Sequence, residues 1–422
     1  MQAIILSIGD ELVLGQTIDT NSAWLSQQLA QVGCAVVAHV TVADDQKEIE
    51  RAIVDASARS DWLIVSGGLG PTEDDLTRQA LAAVLGEPLE LQQEWVDQLN
   101  RFFRARGRAM PESNRIQAMI PRGARAIANS AGTALGIDVT LQRAVPLGGG
   151  CRIMVVPGVP KEMMRMFDAH LLPAIRAAGG GAVILSRTLH TFGLGESHLA
   201  EKLGKLMNRD RNPSVGTTVS GGIVSLRVNA RFDSADEAQR QLESTCAACR
   251  EALGDLIFGQ DGQSLQEVVG ELLREKGTVS TAESCTGGLV AKMLTDVPGS
   301  SRYFSYGWVT YANEAKHNLL GVSDDLLNQH GAVSEPVVRA MAESARQRSG
   351  SSYSLAISGI AGPDGGSDEK PVGTTWIALV SPDSTAARRF VLPGDREMIR
   401  DRAAKTALGW LRFKLMGIGP MF

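Results

Sequence analysis

The sequence predicts a mixed α/β protein built in three parts, on three observations. From residue 3 to residue 156, short apolar runs alternate with segments whose apolar residues recur at helical spacing, the pattern of parallel βαβ units. After the triplet Gly179-Gly180-Gly181 the order changes to that of a small α+β segment. At Ser264 a helix start opens a further strand, turn and helix series. The expected divisions are 1–173, 174–258 and 259–422, since a chain of 422 residues is too long for one core.

Taken in order, residues 3–8 read as a buried strand and 21–32 as a helix with Leu25, Leu29 and Val32 on one face. The β-branched run 34–42 is a strand, Ile49, Ile53 and Ala56 mark a helix, and 62–65 is a strand again. A helix over 76–85, a polar Arg-rich stretch and a strand at 152–156 complete the first part. Parallel sheets of this kind bind ligands at the carboxyl ends of their strands. The middle part reads as a strand at 182–192, a short helix after Gly195-Glu196-Ser197, paired strands within 214–232 and a helix over 236–253. In the third part Ser264 and Glu267 have capping-box spacing ahead of Leu265, Val268, Val269, Leu272 and Leu273, with Gly277 as the stop. Strands at 354–358, 374–380 and 388–392 precede a long helix with Ile399, Ala403, Ala407, Trp410 and Leu411 on one face.

With 44% hydrophobic and 21% charged residues and no low-complexity tract, the composition is that of a folded globular protein. A net charge of -5 lacks the basic footprint that phosphate-backbone binding needs, so nucleic acid is not the expected partner. The opening residues carry no basic leader and read as a strand, and no stretch approaches the roughly 18 apolar residues of a spanning helix. No membrane association is expected. Five irregularly spaced Cys fit a reducing compartment, and the cytoplasm is the expected location. Cys246 and Cys249 have redox-motif spacing but sit in a helical run without a second pair, and the six His show no paired ligand spacing, so a structural zinc is not expected.

The first candidate site follows the strand at 62–65: Ser66-Gly67-Gly68-Leu69-Gly70-Pro71-Thr72-Glu73-Asp74-Asp75-Leu76-Thr77. Glycines let backbone N–H groups approach a phosphate, and a helix N-terminus adds partial positive charge. Three carboxylates would repel that phosphate unless a hard, oxygen-seeking cation such as Mg²⁺ lay between. Carboxylates also favour helix N-termini on their own account, so the residues alone support both a metal and phosphate site and plain capping. A second acidic loop, Gly9-Asp10-Glu11-Leu12 with Asp19-Thr20-Asn21, is brought by a parallel sheet to the same edge.

Together with Asn129, Gly132-Thr133-Ala134 and Pro157-Gly158-Val159-Pro160-Lys161-Glu162-Met163, these motifs resemble the CinA competence/damage-inducible family. The resemblance implies an N-terminal molybdopterin-binding-like domain with metal-dependent cleavage of ADP-ribose to AMP and ribose 5-phosphate. It further implies that Asp75, with Asp10 or Asp74, holds a divalent ion, Mg²⁺ or Co²⁺, that polarises the pyrophosphate and activates water. Gly67, Gly68 and Thr72 then cradle phosphate, Asn129 contributes to substrate binding, and Lys161 and Glu162 line the other rim, where a solvated ion pair explains them equally well. Leu135 departs from the pattern, which has proline there. Pterin binding and adenylyl transfer are the competing activities for this end.

The second candidate site is Thr278-Val279-Ser280-Thr281-Ala282-Glu283-Ser284-Cys285-Thr286-Gly287-Gly288-Leu289, read as strand, turn and helix. A hydroxyl on such a turn lies beside helix N–H groups able to hold a tetrahedral oxyanion, but serine needs a base. Tyr311 and Lys316 are the candidates, because a buried lysine can lose its proton near neutral pH. Ser284 and Thr286 serve equally well as helix caps, and Cys285 is a rival nucleophile with no His near it. Ala282 to Gly288, Tyr311-Ala312-Asn313-Glu314-Ala315-Lys316, Gly331 to Pro336 and Ser358 to Gly366 are similar to the C-terminal domain of the same family. That similarity implies a nicotinamide-nucleotide amidase without a cofactor. It forms nicotinic acid mononucleotide and ammonia from nicotinamide mononucleotide (NMN). On it Ser284 attacks the carboxamide, Lys316 takes its proton directly or through Tyr311, and N–H groups near Gly287 hold the oxyanion. Thr286, Gly287, Gly288 and Ser358 fall in the substrate-binding loops, and Arg400 with Arg396 meets the phosphate, where a solvated helix face is the alternative.

Both ends would then act on products of nicotinamide dinucleotide breakdown, and the alternative class is a competence-related scaffold with one site inactive. The middle part resembles the family's KH-like module but has no Gly-x-x-Gly clamp with a basic flank, so RNA is not expected. A homodimer is the family's expectation.

Overall fold

The computed structural model describes residues 1–142, 149–179 and 182–419; Gly180 and Gly181 of the expected boundary lie outside them. The chain divides into two compact units, Met1–Leu185 with Ala230–Gln241, and Ser186–Asn229 with Leu242–Phe422.

The first unit is built on a six-stranded sheet. β1 (Gln2–Ile8) is an almost wholly buried apolar run, and the short helix α1 (Asp10–Val13) leaves its carboxyl end. There follow α2 (Thr20–Gln31), capped by the Asp19 side chain, β2 (Ala35–Val42), α3 (Gln46–Arg59), capped by Asp45, and β3 (Trp62–Ser66). After the glycine turn come α4 (Thr77–Leu85) and α5 (Gln93–Arg104). The Arg-rich stretch thus opens as a helix that turns Trp95, Val96 and Leu99 into the core while Arg101 and Arg104 face out. β4 (Arg125–Ile127), β5 (Gly136–Gln142), β6 (Gly150–Val156) and α6 (Pro160–Met166) complete it. The strand order is β2-β1-β3-β6-β5-β4. The first four strands are parallel, as the alternation predicts; β5 pairs antiparallel with β6, and β4 antiparallel with β5.

A four-stranded sheet follows, from β7 (Val183–Phe192), β8 (Ser214–Ser220), β9 (Ile223–Phe232) and β10 (Ile257–Gln260), in the order β8-β9-β7-β10, with helices α7 (Glu196–Leu203) and α8 (Ala235–Leu253). Cys246 and Cys249 are buried on α8, and burial pushes the Cys249 thiol up to about 11, the environment of packing side chains and not of a reactive pair.

The second unit continues with α9 (Leu265–Lys276), which opens with both hydrogen bonds of the Ser264/Glu267 capping box. Its five-stranded sheet has β11 (Val279–Glu283), β12 (Phe304–Val309), β13 (Tyr353–Gly359), β14 (Thr374–Val380) and β15 (Thr385–Val391) in the order β12-β11-β13-β14-β15. β12, β11 and β13 are parallel, so their carboxyl ends at Val309, Glu283 and Gly359 lie side by side. α10 (Leu289–Thr295), α11 (Asn313–Leu320) and α12 (Glu335–Ser349) connect them, and α13 (Arg396–Leu415) buries Ile399, Ala403, Ala407 and Leu411 in the core beside β11 and β13. Among the described residues no helix is long and apolar enough to cross a membrane.

Candidate active site

β11 ends at Glu283 and delivers Ser284 to a turn that Gly287 (φ 60°) and Gly288 (φ 89°) close in the left-handed region, where side chains are disfavoured. The Ser284 amide donates to the Ile357 carbonyl of β13 (2.9 Å), and the Gly287 amide donates back to the Ser284 carbonyl (3.0 Å). The fully buried Glu283 accepts from the amides of Val290 (3.0 Å) and Ala291 (2.8 Å), which caps α10.

Lys316, on α11, is only 1% exposed. Its Nζ lies 3.2 Å from Ser284 Oγ, 2.9 Å from the Thr310 carbonyl and 3.3 Å from the Tyr311 carbonyl. Among the described residues no carboxylate pairs with it, and burial pulls its ammonium below the ordinary lysine range. The serine and the lysine, 32 residues apart in sequence, meet because parallel strands β11 and β12 end together.

In the first unit a cleft of about 440 Å³ opens at the carboxyl ends of the strands, lined by the glycine turn and by Glu11, Asp44, Asp74, Asp75 and Glu162. Gly67 (φ 112°) is required there, because a Cβ would stand 2.3 Å from the Ile8 carbonyl. Asp75 spends both carboxylate oxygens within the turn: one accepts from the Gly70 amide (2.7 Å), the other from the Thr72 amide (2.9 Å) and hydroxyl. Buried Arg78 holds the Leu69 and Gly70 carbonyls beneath it. Asp44 carries the strain of the acidic loops: burial raises its carboxyl above the ordinary range, and the charges of Asp10, Glu11 and Asp74 push the same way.

A CinA-like protein from Geobacter sulfurreducens is 43% identical over 99% of this chain and 100% of its own length. The chain belongs to the CinA family. A CinA-like protein from Dictyoglomus thermophilum is 40% identical over the same shares. Three family models match the chain in succession: a "probable molybdopterin binding domain" at residues 4–177, the "damage-inducible protein CinA KH domain" at 186–259 and the "CinA C-terminal domain" at 262–415. Among solved structures, a CinA superfamily protein from Klebsiella pneumoniae is 36% identical, with 36% of this chain and 96% of that one covered at a TM-score of 0.35. The protein CinA from Thermoplasma acidophilum, described as of unknown function, is 32% identical over 41% and 97%, at a TM-score of 0.36.

Several residues singled out in this sequence have other duties in the fold. The Tyr311 phenol is exposed and bonded to Arg396 Nη2 (2.7 Å); the Tyr311 backbone carbonyl, not its ring, meets Lys316, which removes the tyrosine relay. Arg400 is no solvated face: it donates to the carbonyls of Cys285 (3.1 Å) and Thr286 (2.9 Å), while Arg396 Nη1 holds the Gly362 carbonyl (2.7 Å). The amides expected at the oxyanion are occupied at Gly287, Val290 and Ala291. The fully buried Thr286 keeps a hydroxyl without a partner among the described residues, as does Thr310. Ser358 is buried and bonded to the Ala332 carbonyl (2.7 Å). Burial pushes the Cys285 thiol up to about 12, which disfavours the thiolate that a cysteine nucleophile needs.

In the acidic cleft the Gly67 amide is spent on the Val156 carbonyl and Thr72 on Asp75, so of the three expected phosphate ligands only Gly68 retains its amide. Asn129 organises its own loop: its carbonyl oxygen accepts from Ala131 and Gly132, and its amide holds Glu162 Oε2 (2.6 Å). Lys161 is exposed and unpaired with Glu162 among the described residues. The Leu135 amide donates to the Gln117 carbonyl (3.3 Å), a bond that proline could not make. The expected metal set also changes. Asp75 is spent within the turn, Asp10 and Asp44 each accept the other's backbone amide on a carboxylate oxygen (3.1 and 2.9 Å) and only Asp44 of the two lines the cleft, and among the described residues no three His, Cys, Asp or Glu side chains converge for a metal. What fits is a hydrated divalent ion held by one or two of Glu11, Asp44 and Asp74 and completed by water and phosphate oxygens. Asp44 was passed over in the sequence, although Ala43-Asp44-Asp45 leaves the carboxyl end of β2 just where ligands gather.

Proposed function

We propose that the C-terminal part of this CinA-family chain hydrolyses the carboxamide of nicotinamide mononucleotide, with Ser284 as nucleophile and Lys316 as base. The observation that carries the reading is the environment of Lys316. A neutral amine has two N–H bonds and one lone pair. In that form the Thr310 and Tyr311 carbonyls accept its two N–H bonds and the lone pair faces the Ser284 hydroxyl, whereas the protonated amine donates to all three oxygens. With no carboxylate to hold a proton on it, burial favours that neutral form.

The Ser284 oxygen adds to the carboxamide carbon as its proton passes to Lys316. Collapse of the tetrahedral adduct breaks the C–N bond, and Lys316 returns the proton to the departing nitrogen, releasing ammonia. Water, deprotonated by the same amine, then cleaves the acyl-serine ester and leaves the carboxylate. Arg400 fixes the serine turn by its carbonyls and touches none of the reacting atoms. The test is ammonia release from NMN by the wild type beside Ser284→Ala and Cys285→Ala. Loss in the serine variant alone supports the reading, and a folded but silent wild type refutes it.

For the N-terminal cleft we propose hydrolysis of a nucleoside diphosphate sugar such as ADP-ribose, favoured by the concentration of Glu11, Asp44 and Asp74 around a glycine turn. A bound Mg²⁺ or Co²⁺ would neutralise pyrophosphate charge there and lower the pKa of a bound water. The measurement is AMP formed from ADP-ribose with each ion, with Asp44→Asn expected to raise the metal concentration needed for half-maximal rate. An unchanged metal requirement would remove Asp44 from the site, and pterin binding without AMP formation would replace the reading.

A further inference from the structure

The second unit holds a cavity that neither site uses. It measures about 260 Å³ and lies between the end of β7, the β8–β9 turn at Gly222, the end of β15 and helix α13. At that volume, below the roughly 300–1,000 Å³ of clefts for drug-sized ligands, it suits a single ring and not a nucleotide. Its walls are Phe192, Leu194, Phe390 and Leu392, and its polar residues are Arg402 and Thr406, one turn apart on α13.

Those two residues set the chemistry. Thr406 is largely buried at 7% exposure, and Arg402 Nε is buried with no hydrogen-bond partner among the described residues, an unusual state for a buried polar group. Arg402 gives Nη1 to the Pro393 carbonyl (2.6 Å), and no carboxylate pairs with it among the described residues. The nearby acids are engaged elsewhere: Asp401 with Lys405 (2.7 Å) and Glu196 with the Thr217 hydroxyl (2.6 Å). An apolar chamber with two aromatic walls, one cation with an unpartnered Nε and one hydroxyl matches a flat ring bearing a single negative charge. We propose that this cavity binds a small aromatic monocarboxylate of the benzoate or pyridine-carboxylate kind. The site stands independently of the amidase reading, since its lining excludes Ser284 and Lys316, although it shares α13 with Arg400.

The test is a titration of the full-length protein with 4-fluorobenzoate followed by ¹⁹F NMR, beside 4-fluorobenzamide as the neutral isostere. Saturable binding of the acid is expected, unchanged in Ser284→Ala and weakened about tenfold in Arg402→Gln by loss of a charge-assisted bond. Thr406→Val, close in volume, is expected to weaken it severalfold, and Leu194→Trp to block it by filling the chamber. These two serve if Arg402→Gln fails to fold by its thermal melt. Equal binding of acid and amide, loss of binding in Ser284→Ala, or affinity untouched by Thr406→Val and Leu194→Trp would each overturn the assignment.

Discussion

If Ser284 and Lys316 act as one unit, their removal cannot cost twice. Replacing Lys316 by methionine, similar in length and unable to take a proton, removes a base, for which losses of roughly 10²–10⁴ are usual. Here the upper end is expected, because the amine is 1% exposed and bulk water has little room to substitute for it. A loss of about 10⁴ corresponds to about 5.4 kcal/mol of transition-state stabilisation. Ser284→Ala should cost at least as much. Were the two independent, the double variant would fall by about 10⁸; as members of a dyad 3.2 Å apart, it should be no worse than the poorer single. The assay is ammonia release from NMN, with the folded state of each variant checked by circular dichroism. A Lys316→Met enzyme within tenfold of the wild type, or single losses that multiply in the double, would refute the dyad.

The same buried amine sets two pH dependences. Its folded pKa lies below the ordinary 10.5, so between the two values the unfolded chain binds the extra proton. Stability should therefore rise with pH across that window and be lost as pH falls through the folded value, a slope that urea titrations should find flattened in Lys316→Met; kcat/KM should climb through the folded value too, and a rate insensitive to pH there would exclude the amine as base. Glu283→Gln should destabilise the protein by about 2 kcal/mol, since a carboxylate holding two helix amides becomes an amide that presents one oxygen; a urea midpoint equal to the wild type would show the cap to be dispensable. Burial alone would raise the Asp138 carboxyl, but hydrogen bonds from Arg152 and Arg125 outweigh it and hold the pKa below 3.8. That stability is present above the unfolded value and lost as pH falls through the folded one, so Asp138→Asn should lower stability at neutral pH and narrow its gap to the wild type in acid melts.

Local patterns in the sequence were enough to find the parallel core, the capping box at Ser264 and the long helix at the end, because each depends on residues close together in the chain. Helix α5 was hidden by its composition: seven of its twelve residues are polar or charged, while only Trp95, Val96 and Leu99 are on its buried side. β12 is an edge strand with most of its residues exposed, so neither alternation nor a full apolar run announces it. The contact of Ser284 with Lys316 depends on which strands become neighbours, which spacing does not encode. The spent amides were equally illegible, since a glycine turn reads the same whether its N–H groups await a ligand or have a partner within the chain.

That last point bears on both halves of the molecule. Each candidate site begins with a strand, a glycine turn and a helix, the arrangement that elsewhere offers backbone donors to an anion. In each, a carboxylate from the chain has taken donors: Asp75 takes those of Gly70 and Thr72, and Glu283 takes those of Val290 and Ala291. An internal carboxylate in such a nest makes the turn rigid and adds negative charge where an anionic group would otherwise settle. On the proposed reading, a phosphate in the N-terminal cleft would need a cation as intermediary, and Asp44, whose charge its acidic neighbours disfavour, is where that cation would gain most. In the C-terminal site the consequence runs the other way. A turn already fixed by Glu283 and by Arg400 on its carbonyls holds the Ser284 hydroxyl against Lys316, so on the proposed amidase reading binding energy would not be spent on assembling the nucleophile.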